Sequence, residues 1–341
     1  MIAVELYQGD GGEWDRFVQS APGWTHFHRY GWRKVFERVF DHECTYLAAR
    51  DPAGRIVGVL PLVRVNSRMF GDYLVSLPFL NYGGPLGHSD ACQQLAIHAS
   101  DVAQDRGVDL LELRSRYDLG LDLPVSHRKI TVLRDLTPTG GKPWSSDLSS
   151  KLRSQIKRPQ KEGVEIRFGL EQLESFYQVF ARHMRDLGTP VQSIRLFQAI
   201  RDVFPDDVWF GCAYLREEPV AAGCGFRWGT EFEMTWASSL RRYNGIAPNM
   251  LLYWSFMERC VEQGVTLFNF GRCTPGGGTH RFKQQWGSRD VPLWWYYQSD
   301  GERAATPSTD EKAFAWGPVI WRRLPLPLAN TLGPYVVRYV P

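Results

Sequence analysis

The residues best equipped for chemistry lie between positions 270 and 287, FGRCTPGGGTHRFKQQWG. The run Thr266-Leu267-Phe268-Asn269-Phe270 reads as a strand, and it opens into a loop with glycines at 271, 276, 277 and 278. Arg272, His280, Arg281 and Lys283 follow within the same stretch. Glycine admits positive φ and lets a ligand approach the backbone, while Lys and Arg suit a carboxylate, a phosphate or a developing oxyanion. The same composition also describes a glycine-rich turn with a solvated basic rim. Cys273 and His280 offer a thiol and a base, but nothing orients the pair, and thiol catalysis is not expected.

A second constellation is Arg242-Tyr243-Asn244-Gly245-Ile246-Ala247, which fits the pattern [RQ]xxGx[GA] ahead of the apolar helical run that Pro248 opens. A loop of this kind at a helix N-terminus aims backbone N–H groups and partial positive charge at a phosphate, and it is also an ordinary way to start a helix. Upstream, Thr230 to Trp236 alternates, so that Glu231, Glu233 and Thr235 share one face of a strand and Phe232, Met234 and Trp236 the other. A partly buried glutamate there would take the proton an amine sheds on acylation, whereas a solvated edge-strand face would leave it idle.

Lys151 to Lys161, KLRSQIKRPQK, carries five cations in eleven residues and no acid. With Ser149 or Ser150 as cap and Pro159 ending or bending it, this is a basic helix for a phosphorylated substrate or a tRNA backbone, or simply a solvated one. In ARHMRDLGTP at 181–190, Arg185 and Asp186 sit where a helix stops before Gly188 and Pro190.

These segments need a scaffold, and the chain repeats one. TYLAARDPAGRIVGVLPLVRV at 45–65 and AYLREEPVAAGCGFRW at 213–228 share a hairpin plan in which Gly58 answers Gly223. Gly107 to Leu113 follows a helical stretch as Gly264 to Phe270 does, each glycine serving as a helix stop before a strand. Each half therefore reads as helix, antiparallel hairpin, longer strand, helix, strand around one central sheet. A chain of 341 residues suits two domains of about 150 residues each, and LTPTGGKP at 136–143 has linker chemistry.

Composition removes other classes. An apolar content of 43% with thirteen Trp describes a packed globular protein, and a net charge of +3 does not by itself indicate a nucleic-acid binder. The six cysteines are scattered without metal or disulfide spacing. The first residues lack a signal-peptide pattern and no apolar run reaches ~18 residues, so a reduced, cytoplasmic protein is expected. The apolar end WGPVIWRRLPLPLANTLGPYVVRYVP, with Arg322, Arg323 and Arg338, packs on its own domain or meets a membrane surface; its prolines preclude a long amphipathic helix.

LPFLNYGGPLG at 77–87, KLRSQIKRPQKEGV at 151–164, MRDLGTPV at 184–191, APNMLLYW at 247–254 and the 270–287 segment together resemble the FemAB-like peptidoglycan transferase family. The likeness is strongest to the FemAB-related proteins associated with exosortase and PEP-CTERM systems. The resemblance implies two acetyltransferase-like domains and transfer of an amino acid from aminoacyl-tRNA to an amine of a cell-wall precursor. It also implies that Phe282 and Lys283 help position and stabilise the acyl-transfer centre. The chain departs from the family in lacking a long heptad-patterned arm and in carrying Cys273 where a hydroxyl residue is expected. The Arg242–Ala247 loop looks like an acyl-CoA loop, which would replace tRNA by a thioester donor, and the exosortase-associated subgroup implies exopolysaccharide export.

The expected fold is α/β (α+β), with two tandem acetyltransferase-like domains, each a mixed, mostly antiparallel sheet flanked by helices. They occupy residues 1–142 and 143–300, the second carrying the donor site, with a tail over 301–341. The expected activity is N-acyl transfer to an amine of a small-molecule or lipid-linked envelope or exopolysaccharide precursor. Lys283 would stabilise the oxyanion, with Phe282 beside it, and Glu233 would accept the proton. Arg242, Asn244, Gly245 and Ala247 would hold the donor, and Arg153, Lys157, Arg185, Asp186 and Arg272 the acceptor. Acyl-CoA or aminoacyl-tRNA is the expected co-substrate, with no metal and no tightly bound cofactor, at the inner face of the membrane if the tail meets lipid. The rival readings are Fem-type transfer from tRNA and a non-catalytic assembly module.

Overall fold

The computed structural model describes residues 2–68, 70–138, 143–299 and 317–340. Contacts divide them into two compact units: residues 2–128 with 292–299 and 335–340, and residues 129–291 with 317–334.

In the first unit, β1 (Ala3–Leu6), α1 (Gly11–Ser20) and α2 (Gly31–Phe40) precede the hairpin β2 (Cys44–Arg50) and β3 (Ile56–Ser67). Then come β4 (Gly71–Val75), β5 (Leu86–Gly87), α3 (Ser89–Asp105), β6 (Leu110–Ser115) and β7 (Val125–Ser126), and from late in the chain β15 (Trp294–Gln298). The sheet order is β1-β2-β3-β4-β6-β15-β7, with β5 on β3. Helix α3 buries Ala91, Leu95 and Ala99 against Leu47, Leu60 and Leu111, while Tyr7, Trp14 and Val18 pack with Tyr46 and Val59 in a second cluster.

The second unit runs β8 (Ile130–Asp135), α4 (Ser150–Lys161), β9 (Val164–Phe168), α5 (Leu173–Leu187), α6 (Ile194–Val203), β10 (Val208–Leu215), β11 (Glu218–Trp228) and β12 (Glu231–Ser239). It continues through α7 (Pro248–Glu262), β13 (Leu267–Cys273), α8 (Gly278–Gln284) and β14 (Arg289–Pro292). Its sheet order is β14-β8-β13-β12-β11-β10-β9. Neighbouring residues of β10 serve opposite faces, as the pleat requires. Trp209 stacks on Phe232 in the core that holds α7, whereas Phe210 packs on Phe176 of α5.

The repeat is visible in matching details. Antiparallel pairs dominate both sheets, and each has a parallel pair where a strand returns after a crossover helix: β4 with β6 and β12 with β13. Gly107 and Gly264 both hold positive φ just past a helix end, at 60° and 73°. Val108 N–H then bonds Ala103 C=O, and Val265 N–H bonds Cys260 C=O, the same C-terminal closure twice. At Gly58 an added Cβ would lie 2.9 Å from Cβ of Ala91 on α3, and at Gly223 it would lie 3.1 Å from Phe256 on α7. Both glycines admit a crossover helix close to its sheet.

A single cut at residue 142 does not follow the two units. β8 pairs with β13 and buries Ile130 and Val132 in the second core, while β15 pairs with β6 and buries Tyr296 in the first. Positions 139–142 of the expected linker, and 300–316 before the tail, lie outside the described residues. The tail forms the short helices α9 (Gly317–Trp321) and α10 (Leu326–Val337). In the second unit it is tied to the end of α5, where Arg322 donates to Leu187 C=O at 3.1 Å and Arg185 to Leu324 C=O at 3.2 Å.

Gly223→Val would drive a branched side chain against Met234 Sδ, 2.8 Å from the added Cβ, and Phe256. We expect a loss of about 1–3 kcal/mol in denaturant unfolding, as for other overpacked cores; an unchanged midpoint would show that α7 does not need this close approach.

Candidate functional site

β12 and β13 lie parallel for three residue pairs, Glu231 with Leu267, Phe232 with Phe268 and Glu233 with Asn269, and their pairing ends there although both strands continue. Two bulges account for the parting. Across the β11 register, Cys224 faces Trp236 while Gly225 faces Met234, so Thr235 is the extra residue. Across the β8 register, Asn269 faces Leu133 while Arg272 faces Thr131, again with one extra residue, beside Gly271 at φ +70°. A bulge bends its strand, and each strand here bulges toward its outer neighbour. The sheet therefore opens into a wedge beyond Glu233 and Asn269.

The bulge also corrects the simple alternation expected for β12. Phe232 and Met234 enter the α7 core, but Trp236 turns to the other face and packs on Phe197 of α6 at 5.1 Å. β12 is a central strand, and Glu233 is fully buried, so the solvated edge-strand alternative fails.

At the apex, the Asn269 amide is completely used. Its Nδ2 donates to Glu231 Oε1 at 2.9 Å and Glu233 Oε2 at 3.1 Å. Its Oδ1 accepts from Thr131 Oγ1 at 2.7 Å and from Gly271 N–H at 2.8 Å. That is the full capacity of an amide side chain, two donors and two lone pairs. Glu233 accepts a further bond from Thr235 Oγ1 at 3.2 Å. Buried carboxylates demand such partners because desolvating a charge is costly.

Lys283 reaches the same place from α8. It is 3% exposed, and its Nζ donates to Gly271 C=O at 2.7 Å and Arg272 C=O at 3.0 Å. Burial lowers its pKa to about 8, an effect that Arg272 reinforces and that Cys273 and Glu233 oppose. Two of three ammonium protons are committed, and among the described residues the third has no partner. Burial raises the Cys273 thiol, the reverse of an activated nucleophile. His280 is occupied elsewhere: Nδ1 accepts from Gly276 N–H at 2.9 Å and Nε2 lies 2.8 Å from Asp290, so it braces the loop. Phe282 packs on Tyr253 of α7 at 5.0 Å, which fixes α8 and thereby Lys283.

The donor-loop residues follow β12. A 3-10 turn at Arg241–Tyr243 leads through Asn244 and Gly245 to Ala247 at φ 55°, and Pro248 begins α7. Arg242 forms an ion pair with Glu218 and lies over the Tyr243 ring at 5.0 Å, and Tyr243 Oη donates to the same Glu218 at 2.6 Å. Glu218 thus braces the loop; as one of two adjacent acids after a hairpin turn, it carried no sequence signal.

Of the expected acceptor residues, only Arg272 neighbours Lys283. Arg153 and Lys157 are exposed on α4, which Ser149 caps and which runs through Pro159 to Lys161, so the proline neither ends nor replaces its last turn. Arg185 donates to Asp186 at 2.8 Å as well as to the tail carbonyl, so this pair fastens the tail. Asn269 and Thr131 were not singled out beforehand. Among the described residues, no cluster of His, Cys, Asp or Glu could hold a metal ion.

Residues 146–284 match the family model for an acetyltransferase (GNAT) domain. No curated protein matches the chain in sequence. Among solved structures, FemX superposes with a TM-score of 0.64 at 13% identity, over 86% of this chain and 97% of that one. L-PGS from Bacillus licheniformis gives 0.58 at 15% identity, covering 97% of each chain. A tandem GNAT protein from the clavulanic acid biosynthesis pathway gives 0.54 at 12%, over 89% of this chain and 100% of its own. Identities this low establish the fold, a tandem GNAT-like arrangement of mixed, antiparallel-dominated sheets flanked by helices.

The lowered pKa of Lys283 makes a stability prediction. Between about 8 and its ordinary value of 10.5 the unfolded chain holds this proton and the native state does not, so raising pH through that window favours the native state. Denaturant unfolding at pH 7.5 and 9.5 should show the wild type gaining stability relative to Lys283→Met. An identical pH response in both proteins would contradict the buried, depressed ammonium.

Proposed function

We propose that the second unit is an N-acyltransferase that places its acyl donor in the wedge between β12 and β13. The observation that carries this reading is the end of strand pairing at Glu233 and Asn269, with Lys283 delivered beside it. The match of residues 146–284 to an acetyltransferase domain supports it, and the usual co-substrate of that fold is acyl-CoA. The backbone of Asn244 to Ala247 and the N-terminus of the 15-residue α7 would hold the donor phosphates. Arg242 would exchange its pair with Glu218 for a phosphate.

An amine attacking the donor carbonyl forms a C–N bond, loses a proton and expels the thiolate. Glu233, already a hydrogen-bond acceptor at the apex, would take that proton, directly or through water. Lys283 would turn its remaining N–H to the tetrahedral oxyanion, where one donor supplies about 2.7–4 kcal/mol. Its position between two carbonyls needs no rearrangement at the moment of reaction. Arg272 would hold an anionic acceptor next to it. We assign the acceptor to the amine-bearing envelope or exopolysaccharide precursors that the FemAB resemblance implies, and a lipid-linked precursor suits the exposed Ile320, Leu328 and Leu332 of the tail.

One observation favours a different donor. Lys151, Arg153, Lys157, Arg158 and Lys161 are all exposed on α4, and a nucleic-acid backbone is what such a face attracts, so aminoacyl-tRNA is the second reading.

Calorimetric titration with acetyl-CoA, longer acyl-CoAs and aminoacyl-tRNA at two salt concentrations decides between them. We expect acyl-CoA binding that Arg242→Ala weakens, and turnover that Lys283→Ala cuts roughly a hundredfold with folding intact. Strongly salt-dependent tRNA binding alone would transfer the donor role to tRNA. Binding of neither would leave an assembly module.

A further inference from the structure

At the opposite end of α7 from the donor loop, the second unit holds a cavity of about 270 Å³ that no step of the proposed transfer uses. Two guanidiniums line it: Arg227 from the end of β11 and Arg259 from the last turn of α7. Arg259 lies against two aromatic rings, 4.9 Å from the Phe168 centroid and 5.0 Å from that of Trp209. Its Nε is buried without a hydrogen-bond partner. Among the described residues neither arginine has an ion-pair or side-chain hydrogen-bond partner. Asp206 is the one acid in the lining, and it forms no ion pair with either; nor do Glu258 and Glu262, which neighbour Arg259 on α7.

A surface cation needs no partner, and the C-terminus of α7 accounts for one positive charge. It does not account for two that converge on a recess lined by Phe168 and Trp209. Like charges held together repel, and a half-buried guanidinium stacked on rings loses hydration that a ligand can return as paired N–H···O bonds. The two ring contacts restrict where the Arg259 guanidinium sits before a ligand arrives.

We infer that this cavity binds a small oxyanion-bearing molecule, a phosphate monoester or a carboxylate, as an accessory site separate from the donor wedge. Charge-assisted bonds from Arg259 and Arg227 would hold the oxyanion, and Leu170 and Pro205 of the lining would border its carbon skeleton.

The test is titration of the full chain with inorganic phosphate, glucose 6-phosphate and malonate. It is read by calorimetry and by tryptophan fluorescence, with Trp209→Phe identifying the reporting ring. Saturable binding is expected, with affinity falling about tenfold or more in Arg227→Gln and again in Arg259→Gln, and falling with added salt. Preference for the phosphates or for malonate tells which oxyanion the cavity takes. Arg259 carries the contacts to Phe168 and Trp209, so the Arg227 variant keeps the test open if Arg259→Gln perturbs packing; thermal melting checks both. Absence of saturable binding, binding unchanged in the double variant, or binding lost instead in Arg242→Ala would overturn the inference.

Discussion

The second unit depends on how briefly two strands pair. β12 and β13 share three residue pairs, and then a bulge in each turns it toward its outer neighbour. The opening would be a defect if its apex were apolar or empty, because two strands would present unpaired backbone to the core. Asn269 closes it chemically by meeting two carboxylates, a hydroxyl and the Gly271 amide with its four hydrogen-bonding positions. No smaller or apolar side chain supplies that set, and an aspartate would add a third buried carboxylate where two already compete for donors.

From that apex the placement of everything else follows. Gly271 at positive φ lets β13 bulge and aims its carbonyl at Lys283. The Tyr253–Phe282 contact seats α8 on α7, and α7 is held close to the sheet by the space at Gly223. The ammonium is thereby buried near Glu233, which opposes the loss of its charge while desolvation drives it. A lysine whose pKa burial lowers to about 8, with one uncommitted donor, is suited to a charge that appears only transiently. The donor loop leaves β12 just beyond the bulge, so the same distortion leads to the phosphate end of the proposed site.

Much of this could be read from residue types. Glycines before strands marked helix ends at Gly107 and Gly264 because only they take the left-handed closure cheaply. The glycine-rich loop and Lys283 stood out because cations beside open backbone are uncommon inside a strand-to-helix connection. What periodicity missed was register. A single extra residue at Thr235 reversed the face of Trp236, and no local pattern signals a bulge in the middle of a strand. Asn269 and Thr131 were invisible because they are ordinary strand residues whose significance arises from partners 36 to 138 positions apart. The make-up of the two compact units was hidden for a similar reason: β8 and β15 each join a sheet by long-range pairing, which linker composition does not report.

The central claim is that the wedge receives the acyl donor. Amide hydrogen exchange with and without a bound, non-reacting acyl-CoA analogue tests it most directly. Slowed exchange is expected at residues 234–239 of β12 and at the amides of 244–247 and 249 in the turn into α7, and nowhere else. Protection elsewhere, with those amides unchanged at saturating ligand, would contradict it.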